Sequence, residues 1–542
     1  MKQKMKSALW VFVYLMAIVS VNATTADCYI GGVWYDLDAS KKEAIVSYTG
    51  KMDYNGMIYS NYKGNVSIPH SITYDGVVYS VTSIGPKAFY GSHLTSLSIP
   101  NSITSIKSYA FTGCKELASV KIEDGSEILL FDHNSSFSDC PLETLYLGRD
   151  FIYTHSSDYS DWDVYSPFQD KTKLVSITIG SSVKSIASSA FRGCSGLTSV
   201  IIPNSVKSIA LYAFRGCSGL TSMTIEDGAE TLEFEHSSYT DDQYPLEKLY
   251  LGRNISDSTN PFHRIRSLQT IIMGNSVTSI SPEAFSGCSG LTSIVIPNSV
   301  TSIGNSAFSG CSGLTSIVIP NSVTSIGNSA FYGCSGLTSI VIPNSVTSIG
   351  SSAFNGCDGL TSVNIGNSVT SIGNKAFSGC SSLTSVTIPN SVTAIGGSAF
   401  EKCSSLKSLK IEDGKEKLAS TSFSSCPLET LYLGRNISYE SSYAPFQKLV
   451  TLNSVTIGDN VTEICSNAFL GCSNLTSVTI PNSVTSIGGS AFNGCSGLTS
   501  LNIGNGVTSI SESAFRNCSG LTSITIPNNI TSISEYAFEG CI

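Results

Sequence analysis

Six histidines (His70, His93, His133, His155, His236 and His263) and 17 cysteines are the residues best suited to metal or nucleophilic chemistry. Neither set is spaced for it. No histidine pair forms the H-E-x-x-H of a zinc protease, and no C-x-x-C pair or Cys/His cluster offers zinc its ligands. G-x-S-x-G, P-loop and dinucleotide fingerprints are missing too. Acid–base work on a polysaccharide, the chemistry of some parallel β-helices, needs carboxylates or basic groups clustered on adjacent turns. Between Asn275 and Phe400 the charged residues are Glu283, Asp358 and Lys375. A solenoid enzyme is therefore the weakest of three functional readings. Asp158, Asp161 and Asp163 are close in sequence, but no central Gly or bidentate Glu follows at Ca²⁺-loop spacing. No metal or cofactor is expected.

Binding chemistry is better represented. CPLETLYLGRD (140–150), YPLEKLYLGRN (244–254) and CPLETLYLGRN (426–436) are three versions of one segment, each preceded by Ile-Glu-Asp-Gly. Tyr146, Tyr250 and Tyr432 hold one position in it, and Arg149, Arg253 and Arg435 follow three residues later. Lys121, Thr224 and Lys410 occupy the corresponding position one repeat earlier, so a Lys–Tyr cross-strand contact is expected twice. Tyr153, Tyr159, Trp162 and Tyr165 populate the loop after the first version, and Tyr439 and Tyr443 the loop after the third. Tyr, Trp and Arg anchor interfaces because they join contact area to a polar handle. A competing reading has these loops folding back, their rings buried and the arginines paired with nearby Glu and Asp.

What must position these residues is a repeat. The pattern L-x-x-[ILVM]-x-[ILM]-[PGE] starts nineteen times between Leu94 and Leu521, and twelve of the eighteen spacings are 23 residues. A fixed period of this size signals a solenoid of the leucine-rich kind. In the coil from Leu314, Ile317 and Ile319 alternate with Ser316 and Val318, the period of a strand with one buried face. Pro320-Asn321 ends the strand. Val323 and Ile326 make a second inward stretch, and Ala330, Phe331 and Cys334 fill the far side. One coil cannot bury these groups alone, whereas a stack can. Eighteen steps at the strand spacing of ~4.8 Å predict a ladder about 85 Å long. The Tyr segments lie at coils three, seven and fifteen, roughly 20 and 40 Å apart by the same spacing, so weak contacts to a fibrous partner would combine by avidity.

Fifteen cysteines share one repeat position, just before the Leu, with Cys28 and Cys465 off that column. Disulfides or metal are one reading. A thiol serving as a small buried hydrophobe is the preferred one, because one residue type recurs once per coil beside Phe.

Only 13% of the 542 residues are charged and the net charge is −9, against about 25% charged in ordinary soluble domains. No basic block follows the first six residues, so a nucleic-acid partner is excluded. Lys2, Lys4 and Lys6, the apolar run Ala8–Val21 and then Asn22-Ala23 predict a signal peptide over residues 1–23, cleaved after Ala23. A secreted or cell-surface location follows, with no transmembrane segment expected in the mature chain. Residues 24–90, Tyr-rich with alternating runs at Val33–Leu37 and Ala44–Tyr48, read as a β-rich N-terminal cap and first partial coil. Residues 91–542 are the repeat array, with long variant coils near 122–173, 225–267 and 411–451.

The unit LTSIVIPNSVTSIGNSAFSGCSG (291–313) resembles the BspA-like branch of the leucine-rich repeat proteins, with its Ile-Pro strand end and Ala-Phe…Cys segment. The resemblance spans Leu94 to Ile542. It implies a solenoid with a parallel β-sheet on its concave face. It also implies surface adhesion through extracellular proteins or glycoproteins of the fibronectin and fibrinogen kind. A passive spacer or scaffold, self-associating through an open C-terminal end, is the structural alternative.

Overall fold

The structure is a computed structural model that describes residues 26–48, 60–132, 137–154, 166–235, 245–256, 260–420, 423–439 and 444–541. The expected signal peptide lies outside the described residues. Two compact units make up the chain: residues 1–118, 129–140 and 153–158 in the first, residues 119–128, 141–152 and 159–542 in the second.

The first unit opens with antiparallel strands Cys28–Ile30, Val33–Asp38 and Glu43–Val46, which take in the alternating runs of the sequence. Gly31 and Gly32 (φ 58° and 85°) turn the first hairpin, and Asp75-Gly76 (48° and 77°) turns a second between Ser71–Tyr74 and Val77–Ile84. Both are the left-handed two-residue turns whose twist matches the flanking strands. From Val77–Ile84 the pairing becomes parallel, through Ser105–Ile106 to Leu129–Phe131. Phe89, Phe111 and Phe137 stack beneath at 5.2 and 4.8 Å.

In the second unit most coils contribute a strand to one ladder and a two-residue strand to another. Pairing is parallel and sets like on like: Ser385 faces Ser408, Val386 faces Leu409, Ile388 faces Ile411. The short ladder runs unbroken from Ser279–Ile280 to Ile437–Ser438. Leu314, Val323, Ala330, Phe331 and Cys334 are fully buried, as the period-2 and far-side readings require. No helix occurs among the described residues. The molecule is a parallel β-solenoid with a period of about 23 residues.

Rings on the far side form a ladder of their own from Phe262 to Phe538, with centroid steps between 5.1 and 6.0 Å. These steps exceed the ~4.8 Å between paired strands. Each coil with an Ala-Phe pair also carries a left-handed residue just before it, such as Ser306, Ser329 and Ser352 (φ 55–56°). That conformation is uncommon outside Gly and Asn. Here it aims the Ser329 N–H at the Ser351 carbonyl of the next coil, 2.8 Å away.

All 17 cysteines are free. Every column thiol donates to the carbonyl of the Phe one coil earlier, as Cys334 does to Phe308 and Cys357 to Phe331, both at 3.2 Å. The column thus combines small volume with one weak donor. Burial pushes Cys357, Cys403 and Cys472 up to about 12. Cys114 goes the other way, lowered by contacts from Cys140 and Ser92. At pH 8 a thiol reagent is expected to modify only the half-exposed Cys465 and Cys541 quickly, and all 17 after denaturation. Fast modification of the column in the native protein would refute its burial.

Candidate functional site

The candidate site is built where the Ile-Glu-Asp-Gly coil meets the Tyr-Leu-Gly-Arg coil. Strands Ser119–Ile122 and Thr144–Leu147 pair in parallel and place Tyr146 opposite Lys121. Tyr250 stands opposite Thr224, and Tyr432 opposite Lys410. All three rings are half-buried on the outward side of their strands. The Lys121 ammonium lies 5.9 Å from the Tyr146 centroid, within cation–π reach. Lys410 leans instead toward Glu412, at 4.0 Å.

Each phenol is fixed by the aspartate of the preceding coil. Tyr146 donates to Asp124 at 2.6 Å, Tyr250 to Asp227 at 2.8 Å, and Tyr432 to both oxygens of Asp413 at 2.9 Å. Donation to a carboxylate holds the phenolic proton, and all three hydroxyls are shifted upward for that reason first. Gly180, Gly274 and Gly458 complete the arrangement one coil later, where a Cβ would collide with the carboxylate and crowd the phenol.

The arginines do not face solvent. Arg149, Arg253 and Arg435 are 0% exposed, which removes them as anchors for a ligand. Arg253 donates to the carbonyls of Asn204 and Pro203 at 3.1 and 3.0 Å, two coils back. Arg435 does the same to Asn390 and Pro389 at 2.9 and 2.8 Å. The fold-back reading pairs the arginines with nearby Glu and Asp, but for Arg253 and Arg435 the hydrogen-bond partners are backbone oxygens. Burial works against the charge, and Glu123 with Glu127, Glu226 with Glu230, and Glu412 work for it. The residue after each arginine reaches forward: Asp150, Asn254 and Asn436 accept backbone N–H groups at Lys184–Ser185, Thr278–Ser279 and Thr462–Glu463.

Tyr153 closes the strand Phe151–Tyr153 and is half-buried. The half-buried Tyr439 donates to the Ser466 carbonyl at 2.7 Å. Tyr159, Trp162, Tyr165 and Tyr443 lie outside the described residues. Asp124, Asp227 and Asp413, with the three glycines, are the site residues that sequence reading missed. A signal existed: Ile-Glu-Asp-Gly precedes every version, and the Pro that ends the regular strand is Gly in the coil that follows.

Like-on-like parallel ladders with a leucine seam, a phenylalanine stack and a cysteine column define a leucine-rich repeat solenoid. The chain belongs to the BspA-type leucine-rich repeat family, whose model matches residues 80–162, 165–288, 253–382, 325–448 and 440–542. Among solved structures it is similar to a leucine-rich repeat protein from Bacteroides ovatus, at 26% identity over 84% of this chain and 95% of that one (TM-score 0.37). A leucine-rich cell surface protein from Faecalibacterium prausnitzii matches at 22% identity over 95% of each chain (TM-score 0.21). The leucine-rich repeat protein of T. pallidum matches at 27% over 39% of this chain and 83% of that one (TM-score 0.27). No curated protein matches. No helix among the described residues is long and apolar enough to cross a membrane.

Proposed function

We propose that the chain is exported and acts at the cell surface or in the medium as an adhesin-like protein. It binds extracellular proteins or glycoproteins, matrix components of the host among them, and performs no catalysis. The observation that carries this is the threefold Tyr–Asp–Gly arrangement. It spends a carboxylate and a glycine each time to hold one aromatic ring half-exposed on the sheet face. A ring pre-set in this way loses little conformational entropy when a partner covers it. With Arg253 and Arg435 committed to backbone and Arg149 buried, the surface reduces to Lys121, Tyr146, Tyr250, Lys410 and Tyr432, with Tyr153, Tyr439 and the loop aromatics Tyr159, Trp162, Tyr165 and Tyr443 as outliers.

The test is binding to immobilised fibronectin, fibrinogen and mucin by wild type and by Tyr146→Ser/Tyr250→Ser/Tyr432→Ser. At least a tenfold loss is expected, the weight of about 1.4 kcal/mol. Equal binding by the triple variant would remove the site. Particle growth with concentration, in place of binding, would support the self-associating scaffold.

A further inference from the structure

Away from the Tyr–Asp–Gly arrangements, the sheet face changes character between Tyr250 and Asn364. The outward position four residues after each repeat Leu is occupied there by Ile272, Val295, Val318 and Val341, which are 45, 54, 80 and 59% exposed. Single exposed aliphatics are ordinary. Four in a row on neighbouring coils form a continuous apolar strip, which soluble surfaces rarely leave without a use. Two polar rows border it. Ser293, Ser316 and Ser339 run along one side, and Asn298, Asn321 and Asn344 along the other at the strand exits, all exposed. From Asn275 to Asn364 the charged residues, Glu283 and Asp358, lie outside the strands and their exits.

The strip also coincides with an opening in the ladder. Ser293–Val295 ends one run of paired strands and Ser339–Val341 begins another. Between them, Ser316–Ile319 make no backbone hydrogen bond to either neighbouring coil. The short ladder stays closed through the same coils, Ser302 to Ser325 to Ser348. The strands are therefore parted on the sheet face only. The result is a cleft of about 450 Å³ lined by Val318, Asn321, Val341, Asn344, Asn364 and Gly366 among others. Backbone N–H and C=O groups at such an opening need a partner from outside.

We propose that this face binds a neutral polysaccharide laid along the coil axis from Ile272 to Asn364, with the Val318–Val341 cleft as its tightest subsite. A pyranose ring has an apolar C–H face and hydroxyls around its edge, which is the complement of an aliphatic strip between a hydroxyl row and an amide row. Asn344 spends its Oδ1 on the Asn367 N–H at 2.8 Å and keeps its NH₂ for a sugar oxygen. Charge selects against other ligands: a phosphate, sulfate or uronate would find no cation on the coils from Leu291 to Asn364, and a charged peptide would be desolvated without compensation. Spacing selects as well. Where the strands pair, the rows repeat at ~4.8 Å, whereas an extended peptide presents same-face side chains every ~6.6 Å and falls out of step. A chain of equatorially linked pyranoses advances by nearly one ring per strand spacing, so ring after ring meets the same three rows.

Electrophoresis of the full chain through native gels containing a soluble β-glucan, a mannan or, as the charged control, a sulfated polysaccharide tests this. Retardation by at least one neutral polymer and none by the sulfated one is expected. The double variant Val318→Asp/Val341→Asp should bind at least tenfold more weakly. Both positions are solvent-exposed, and an unchanged thermal transition verifies folding. Tyr146→Ser/Tyr432→Ser should be retarded like wild type, which separates this site from the proposed adhesive one. Absence of retardation by every neutral polymer would overturn the proposal, as would equal retardation of the double variant or preference for the sulfated polymer.

Discussion

Phe354→Ala is expected to destabilise the chain by about 3–5 kcal/mol, the range for deleting a fully buried phenylalanine. It is also expected to split one unfolding transition into two. Phe354 is 0% exposed and stacks on Phe331 at 5.2 Å and on Phe377 at 5.3 Å, with the planes 7° and 4° apart. Its N–H donates to the Ala376 carbonyl at 2.8 Å, and its own carbonyl receives the Cys380 thiol at 3.3 Å. In a solenoid each coil is held only by its neighbours, so cooperativity along the axis is a chain of interface terms. Removing a central ring weakens two consecutive terms at once. Guanidinium titration should therefore show a lower midpoint and a shallower slope, because each cooperative block exposes less surface. Hydrogen exchange should lose protection first in the coils from Leu337 to Leu383. Phe354→Leu, which keeps most of the volume, should cost less than about 1.5 kcal/mol and leave one transition. A loss under 1 kcal/mol with unchanged slope would mean that the rings merely fill space.

That prediction rests on a part of the fold legible in the sequence, because stacking converts one local pattern into a global one. Leu314, Val323 and Phe331 each recur at 23-residue offsets, so assigning one inward set assigns them all. Counting four residues on from each Leu was enough to set Tyr146 against Lys121 and Tyr432 against Lys410. Three features escaped for physical reasons. Contact area joined to a polar handle suggests the arginines as anchors, yet all three are buried, and the partners of Arg253 and Arg435 are main-chain carbonyls with no side-chain signature. The left-handed positions are filled by Ser, Tyr, Lys or Glu rather than by Gly, so residue type does not reveal them. Lastly, the ladder opens at Ser316–Ile319 and not at Ser339–Val341, although TSIVIP stands in both coils. Local sequence cannot separate two identical strands; only their neighbours along the stack differ.

The largest effect expected at the variant coils is on stability rather than binding. Arg435→Ala should cost about 3–5 kcal/mol, since it strands polar groups that the buried guanidinium satisfies. Two carbonyls, Asn390 and Pro389, lose donors at 2.9 and 2.8 Å. Lysine should recover little, because a single ammonium cannot reproduce the planar fork that meets both oxygens. Gly414 supplies an internal control. A Cβ there would lie 3.1 Å from Arg435 Cδ, but 3.5 Å from the Cβ of Asn390. Gly414→Ala should thus cost about 1 kcal/mol through overpacking in the wild type and close to nothing when Arg435 is already alanine. A double-mutant cycle by urea melts measures this coupling. Additive costs would show that the arginine is not threaded past Gly414. The Arg435 and Tyr432 variants also divide the segment's two tasks. The first should lower the melting point while the folded fraction still binds, and the second should weaken binding at an unchanged melting point. If both variants moved both quantities together, the clamp and the contact surface would be one structure, and the assignment of Tyr432 to a partner would fall with it.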